Sequence, residues 1–133
     1  MDDLKRGVPA NPNQEVRFTV DVAPSVNHMY IFGKGTKCLT KEAKAYIEKT
    51  QKICIQAMKE QKWKVEKENV WYHMDLYFYF PDKRIRDSHN CLKLLMDSLE
   101  GILFPNDYFV MPRIQFVGYD KENPRIAIEF KPA

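Results

Sequence analysis

From Val16 the chain alternates: Val16, Phe18, Val20 and Val22 fall on one side and Arg17, Thr19 and Asp21 on the other. A two-residue period of this kind predicts a half-buried strand, which Pro24 and Ser25 close. Ser25 to Thr40 reads as a loop or irregular hairpin with Gly33-Lys34-Gly35 at its tip. Thr40 suits a helix N-cap, and Glu42 in the first turn complements the helix dipole. Behind it Ala43, Tyr46, Ile47, Thr50, Ile53, Cys54, Ala57 and Met58 recur at helical spacing, predicting an amphipathic helix over 41–60. After a lysine-rich turn, residues 71–80 form an aromatic-rich strand, with Tyr72, Met74, Leu76, Phe78 and Phe80 on one face and His73, Asp75, Tyr77 and Tyr79 on the other. A second helix is predicted from about Ser88 to Leu103, followed by strands at 112–119 and 124–131. The order β-α-β-α-β-β, with only two main helices, predicts an α+β fold: a two-layer sandwich with a small mixed sheet. Residues 1–14 are polar, carry Pro9 and Pro12, and read as a flexible arm, so that 15–133 forms a single domain.

The segment from Pro81 to Asp97 changes the picture from fold to chemistry. On a wheel of 100° per residue Leu92, Leu95, Met96, Leu99 and Leu103 share one arc, while Asn90, Lys93 and Asp97 stack on nearly the opposite side. Leu94 falls near that polar side, so an interface position and a core position are both open. The strand end delivers Lys83, Arg84 and Arg86, and the helix start delivers Asp87, His89 and Asn90. Gly101 reads as a residue that breaks or caps this helix, and beyond it Phe104-Pro105-Asn106-Asp107-Tyr108 reads as a tight turn that could return Asp107 toward Asp87. Two carboxylates, an amide and a lysine beside a basic cluster suit a magnesium ion facing a phosphodiester. The plainer readings stand beside this one: Asp87 as an N-cap, Lys93 and Asp97 as an i,i+4 pair, and Asp107 as a turn residue.

Composition narrows the class. The 133 residues are 44% hydrophobic and 13% aromatic, ample for one packed core. The net charge of +3 is a weak signal for nucleic acid, so clustering of the basic residues matters more than their number. Cys38, Cys54 and Cys91 are too scattered for a disulfide framework or a zinc site. The N-terminus lacks the apolar run of a signal peptide, and no stretch approaches the roughly 20 apolar residues of a membrane span. A cytoplasmic protein without membrane attachment is expected.

The segment Arg86-Asp87-Ser88-His89-Asn90, then Lys93, Asp97-Ser98-Leu99 and Asn106-Asp107, resembles the RusA-type Holliday junction resolvases, whose pattern runs roughly RDxDNxxKxxxDAL…DD. Ala23-Pro24-Ser25-Val26-Asn27-His28-Met29-Tyr30 is similar to their PPSxNxxY loop, and Leu39 to Tyr46 to the start of their first helix. The resemblance implies a homodimeric endonuclease that nicks four-way DNA junctions symmetrically. It implies that Asp87 and Asp107 bind magnesium and that Lys93 is required for cutting, with Asn90 and Asp97 at further polar positions of the motif. Two positions depart from the pattern: His89 stands for the second aspartate, and Asn106 for the first acid of the closing pair. Imidazole is softer than carboxylate, so His89 is open to three roles: a ligand that favours manganese, a general base on the attacking water, or a DNA contact. Lys34, Lys83, Arg84, Arg86 and Asn27 are candidate DNA contacts, with Lys37 and Lys41 better read as solvated lysines. Two other activities fit the same residues: junction binding without cleavage, and cutting of flaps or forks.

Overall fold

A computed structural model describes residues 8–22, 30–33, 36–66, 69–83 and 88–133, with residues 30–33, 36–38 and 88–90 described for their backbone only. The elements are β1 (Val16–Val20), β2 (Tyr30–Gly33), β3 (Thr36–Leu39), α1 (Lys41–Glu60), β4 (Tyr72–Phe80), α2 (Ser88–Leu99), β5 (Val110–Tyr119) and β6 (Arg125–Pro132). Four strands form a mixed sheet in the order β1-β6-β4-β5, and β2 and β3 pair separately as an antiparallel hairpin. Pairing is antiparallel between β1 and β6 and between β6 and β4, but parallel between β4 and β5. A parallel pair needs a crossover, and α2 supplies it. The fold is the expected α+β class, and the hairpin is one of the two readings left open for Ser25 to Thr40.

Register explains the core. Val16, Phe18 and Val20 lie opposite Phe130, Ile128 and Ile126, and these in turn lie opposite Met74, Leu76 and Phe78. All of them are buried, which makes one continuous apolar face. The helices cover that face, in two layers as predicted. α1 begins where Thr40 accepts the N–H of Ala43, the expected cap, and buries Ala43, Tyr46, Thr50, Cys54 and Ala57. Trp63, beyond its end, packs on Tyr72 and Phe130 and donates its indole N–H to the carbonyl of Leu103 across 3.3 Å. Among the described residues no helix is long and apolar enough to cross a membrane.

The second helix is shorter than the sequence predicts. It ends at Leu99, not near Leu103, because Gly101 adopts φ +83, a left-handed conformation that terminates helices and favours glycine. The chain then doubles back: Gly101 N–H donates to Phe104 O at 2.7 Å, and Leu103 and Phe104 drop into the core. Leu94 is core rather than interface, fully buried with Cys91 and Ser98. These three share a stripe of α2 that meets α1, where Gln51 donates to the carbonyl of Ser98 across 3.2 Å. α2 is therefore buried on two flanks, against α1 and against the sheet, which widens its apolar arc past what a one-sided helix needs. Of the arm, residues 10–14 lie along the segment after α1: Ala10 N–H donates to Glu66, and Gln14 exchanges two hydrogen bonds with the backbone of Lys64.

On the opposite sheet face Asp75 of β4 is buried and accepts two hydrogen bonds from Arg113 of β5, at 2.6 and 2.9 Å, and one from Gln115 at 3.2 Å. Burial acts to raise its proton affinity, but Arg113 and Gln115 outweigh that and hold the carboxyl below the usual range. A carboxylate lowered on folding stabilises above its unfolded pKa and loses that contribution as pH falls through the folded value. Asp75→Asn is expected to cost about 1–3 kcal/mol at neutral pH by urea unfolding, with the deficit shrinking on acidification. Leu94→Ala is expected to cost about 2–5 kcal/mol in the same measurement, as a core truncation does; a cost under about 0.5 kcal/mol is what a surface position would give.

Candidate active site

Among the described side chains, the charged residues of α2 and its end lie on one line. Lys93, Asp97 and Glu100 follow one another at i, i+4 and i+7, all exposed, the last lying just past the final helical residue. The spacing that aligns Asn90, Lys93 and Asp97 in the sequence thus extends one step further, to a glutamate that the sequence reading passed over. The signal was present: Glu100 lies ten residues beyond Asn90, on the same stripe.

The returning chain brings Asp107 to this line. After Leu103 and Phe104 are buried, Asn106 caps a single 3₁₀ turn, Asp107–Phe109, accepting the N–H of Tyr108 at 2.9 Å. Asparagine caps such a turn as well as aspartate does, so the turn keeps its form without the acid expected at that position. The backbone N–H of Asp107 donates to Glu100 Oε2 at 2.9 Å, tying the turn to the end of α2. Partial desolvation and then the negative charges of Glu100 and Asp97 raise the proton affinity of the Asp107 carboxyl above the ordinary carboxylate value, and the two carboxyls of Asp107 and Glu100 are within hydrogen-bonding reach. The Lys93 ammonium works in the opposite direction.

This arrangement violates a local rule. The C-terminal end of a helix carries partial negative charge and favours cations, yet the last turn of α2 has no basic residue and faces three carboxylates. Crowded acids at such an end are costly unless a proton or a cation joins them, and hard oxygen donors suit magnesium or manganese. Among the described residues no three acidic, histidine or cysteine side chains converge closely enough to hold a metal ion by themselves.

The remaining predicted residues divide as follows. Lys83 is exposed just past the end of β4. Asp87, Arg84, Arg86, Asn27 and Lys34 lie outside the described residues, as do the side chains of His89 and Asn90, so the expected approach of Asp87 to Asp107 lies outside them too. Asp107, Asp97 and Lys93 are brought together, and Glu100 joins them.

Comparison with known proteins gives one result at the level of families: the family of the endodeoxyribonuclease RusA matches residues 20–131. No curated protein matches the chain individually. The family match begins at the last residue of β1, runs through both helices and the Asp107 turn, and ends within β6. Covering most of the chain, it shows that this protein belongs to the RusA endodeoxyribonuclease family.

Proposed function

We propose that the protein is a divalent-cation-dependent endonuclease that cuts branched DNA, four-way junctions above all, acting as a homodimer in the cytoplasm. The observation that carries this reading is Asp107 tied to the end of α2 beside Lys93, Asp97 and Glu100, in a chain of this nuclease family. The donors fit magnesium or manganese in kind, and we assign the rest of the coordination to the start of α2: Asp87, with His89 or Asn90. A bound ion of this kind supplies Lewis acidity to the scissile phosphate and acidifies the attacking water.

The chain's own side chains supply positioning and charge. Lys93, one turn from Asp97, offers an ammonium to the phosphate as negative charge builds there. Glu100 fixes the Asp107 turn through its backbone N–H, so Asp107 does not have to be ordered when substrate arrives. His89 is assigned either to the cation or to a proton on the attacking water. Lys83, Arg84, Arg86, Lys34 and Asn27 are assigned to the DNA backbone, which makes affinity fall with salt and leaves sequence unread.

Paired cuts in a two-fold junction need two equivalent sites, which is the argument for a C2 dimer. Among the described residues β5 is one of the two outer strands of the sheet, and Val117 and Tyr119 on it are about half exposed. An unpaired edge with exposed apolar residues is a surface that proteins usually cover, and we assign it to the second subunit. The double variant Val117→Glu with Tyr119→Glu is expected to be monomeric by light scattering and to nick junctions singly; a dimer that survives both charges removes this edge as the interface.

The reading is tested by incubating the protein with a synthetic four-way junction, a flap, a fork and a linear duplex, each with magnesium and with manganese. Junction cutting in opposed strands is expected, and binding without a nick under either metal would refute it. Asp107→Asn is expected to lose at least about a hundredfold in cutting, the upper end of the loss caused by removing a merely supporting group, while still binding the junction. The same variant has an effect on stability opposite to most mutations. Asp107 holds its proton more tightly folded than unfolded, so its contribution to folding is present below the unfolded pKa and lost as pH rises through the folded one. At neutral pH without divalent cation, Asp107→Asn should therefore raise Tm, and the gain should vanish at acidic pH.

A further inference from the structure

We propose that Tyr108 is a stacking platform for a base left with an open face at the branch point of the DNA, an inference that rests on the nuclease reading above. Tyr108 directly follows Asp107 in the 3₁₀ turn and is 64% exposed, one of the most open large apolar residues among those described. It is nevertheless held in place. Its ring is braced by Trp71, with centroids 5.9 Å apart, and edge-on by Phe109 at 5.0 Å. Trp71 and Phe109 also contact one another edge-to-face at 5.1 Å, and the backbone carbonyl of Trp71 accepts the N–H of Ala133 at 2.8 Å. The backbone of Tyr108 is fixed by the Asn106 cap.

A ring packed from behind and open in front has already lost its rotamer freedom, so a flat partner that covers it pays little further ordering cost. Nucleobases are such partners, and stacking on an aromatic ring is tolerant of sequence because every base has a π-face. Within a continuous duplex both faces of a base pair are covered by neighbours, whereas at a branch the terminal pair of an arm can present one. The position beside Asp107 supplies the rest of the argument: a phosphodiester brought to that carboxylate puts the adjoining base within reach of the next residue. The ring would then mark the branch as the place to cut, adding a contact to a base to the backbone contacts that position the strand.

The test uses four-way junctions carrying 5-iodouracil either at the branch or in mid-arm, bound in EDTA so that no strand is cut, and irradiated. A cross-link to the peptide containing Tyr108 from the branch position, and none from mid-arm, is expected. Tyr108→Ala should weaken junction binding roughly five- to a hundredfold and leave linear duplex binding unchanged, with Tyr108→Phe behaving as the native protein. Junction binding and cutting that persist unaltered in Tyr108→Ala, without a branch cross-link, would overturn the stacking role and leave the nuclease reading intact. Conversion of Tyr108→Ala to a monomer would assign the ring to the subunit contact and overturn it as well. Native protein that neither prefers junction to duplex nor cuts it would end both readings.

Discussion

α2 stops at Leu99 because Gly101 turns left-handed, and the position of Asp107 follows from that stop. A helix continued to Leu103 would carry Leu103 and Phe104 along its own axis and project the chain away from the sheet. Terminated where it is, the chain doubles back, Leu103 and Phe104 enter the core, and the carbonyl of Leu103 receives the Trp63 indole N–H from the end of α1. The six residues after Gly101 then reach Asp107, whose N–H closes on Glu100. A left-handed residue, two buried side chains and one backbone hydrogen bond thus set where an acid stands relative to the polar stripe of α2. At Gly101 space is not the constraint, since a Cβ there would meet nothing within 4 Å; the backbone conformation is.

The sheet supplies the rigid side of this arrangement. Parallel pairing sets Tyr72 opposite Val110, so the start of β5, and the turn that precedes it, is fixed against the start of β4. On the far face Asp75 and Arg113 tie the same two strands together by side chains. Near its other end β5 folds a ring back on itself: Phe116 lies over Gly118, where a Cβ would come within 2.5 Å of it, and its ring reaches across to Tyr79 of β4. Trp71, immediately before β4, braces the aromatic residues that follow Asp107.

The regular elements were legible because each obeys a single period. α1 spans the predicted residues, Thr40 caps it, and β4 and β6 alternate as their sequences do. What was not legible lay where two constraints act on one segment. Leu94 sits near the polar arc on the wheel, and only the presence of α1 on that flank, which a one-helix pattern does not encode, buries it. The end of α2 was overestimated because Leu103 keeps the helical spacing by coincidence, its burial being achieved through the reversed turn. Glu100 was missed because acids at a helix C-terminus contradict local electrostatics; once the turn is folded, that contradiction is what singles out the candidate site. The resemblance to the family supplied the significance of Asp107, which spacing alone leaves as a turn residue.

The parallel pairing of β4 with β5 has a consequence in time as well as in space. Contacts between segments distant in sequence form late, after their loop-closure entropy has been met, and this pair cannot zip up from a tight turn as a hairpin does. The contact of Asp107 with Glu100 spans only seven residues and needs no such closure; what waits for the parallel pairing is the anchoring of that turn against the sheet. An incompletely folded molecule, whether newly made or thermally opened, therefore holds the Asp107 turn without the strand pairing that fixes it against the start of β4.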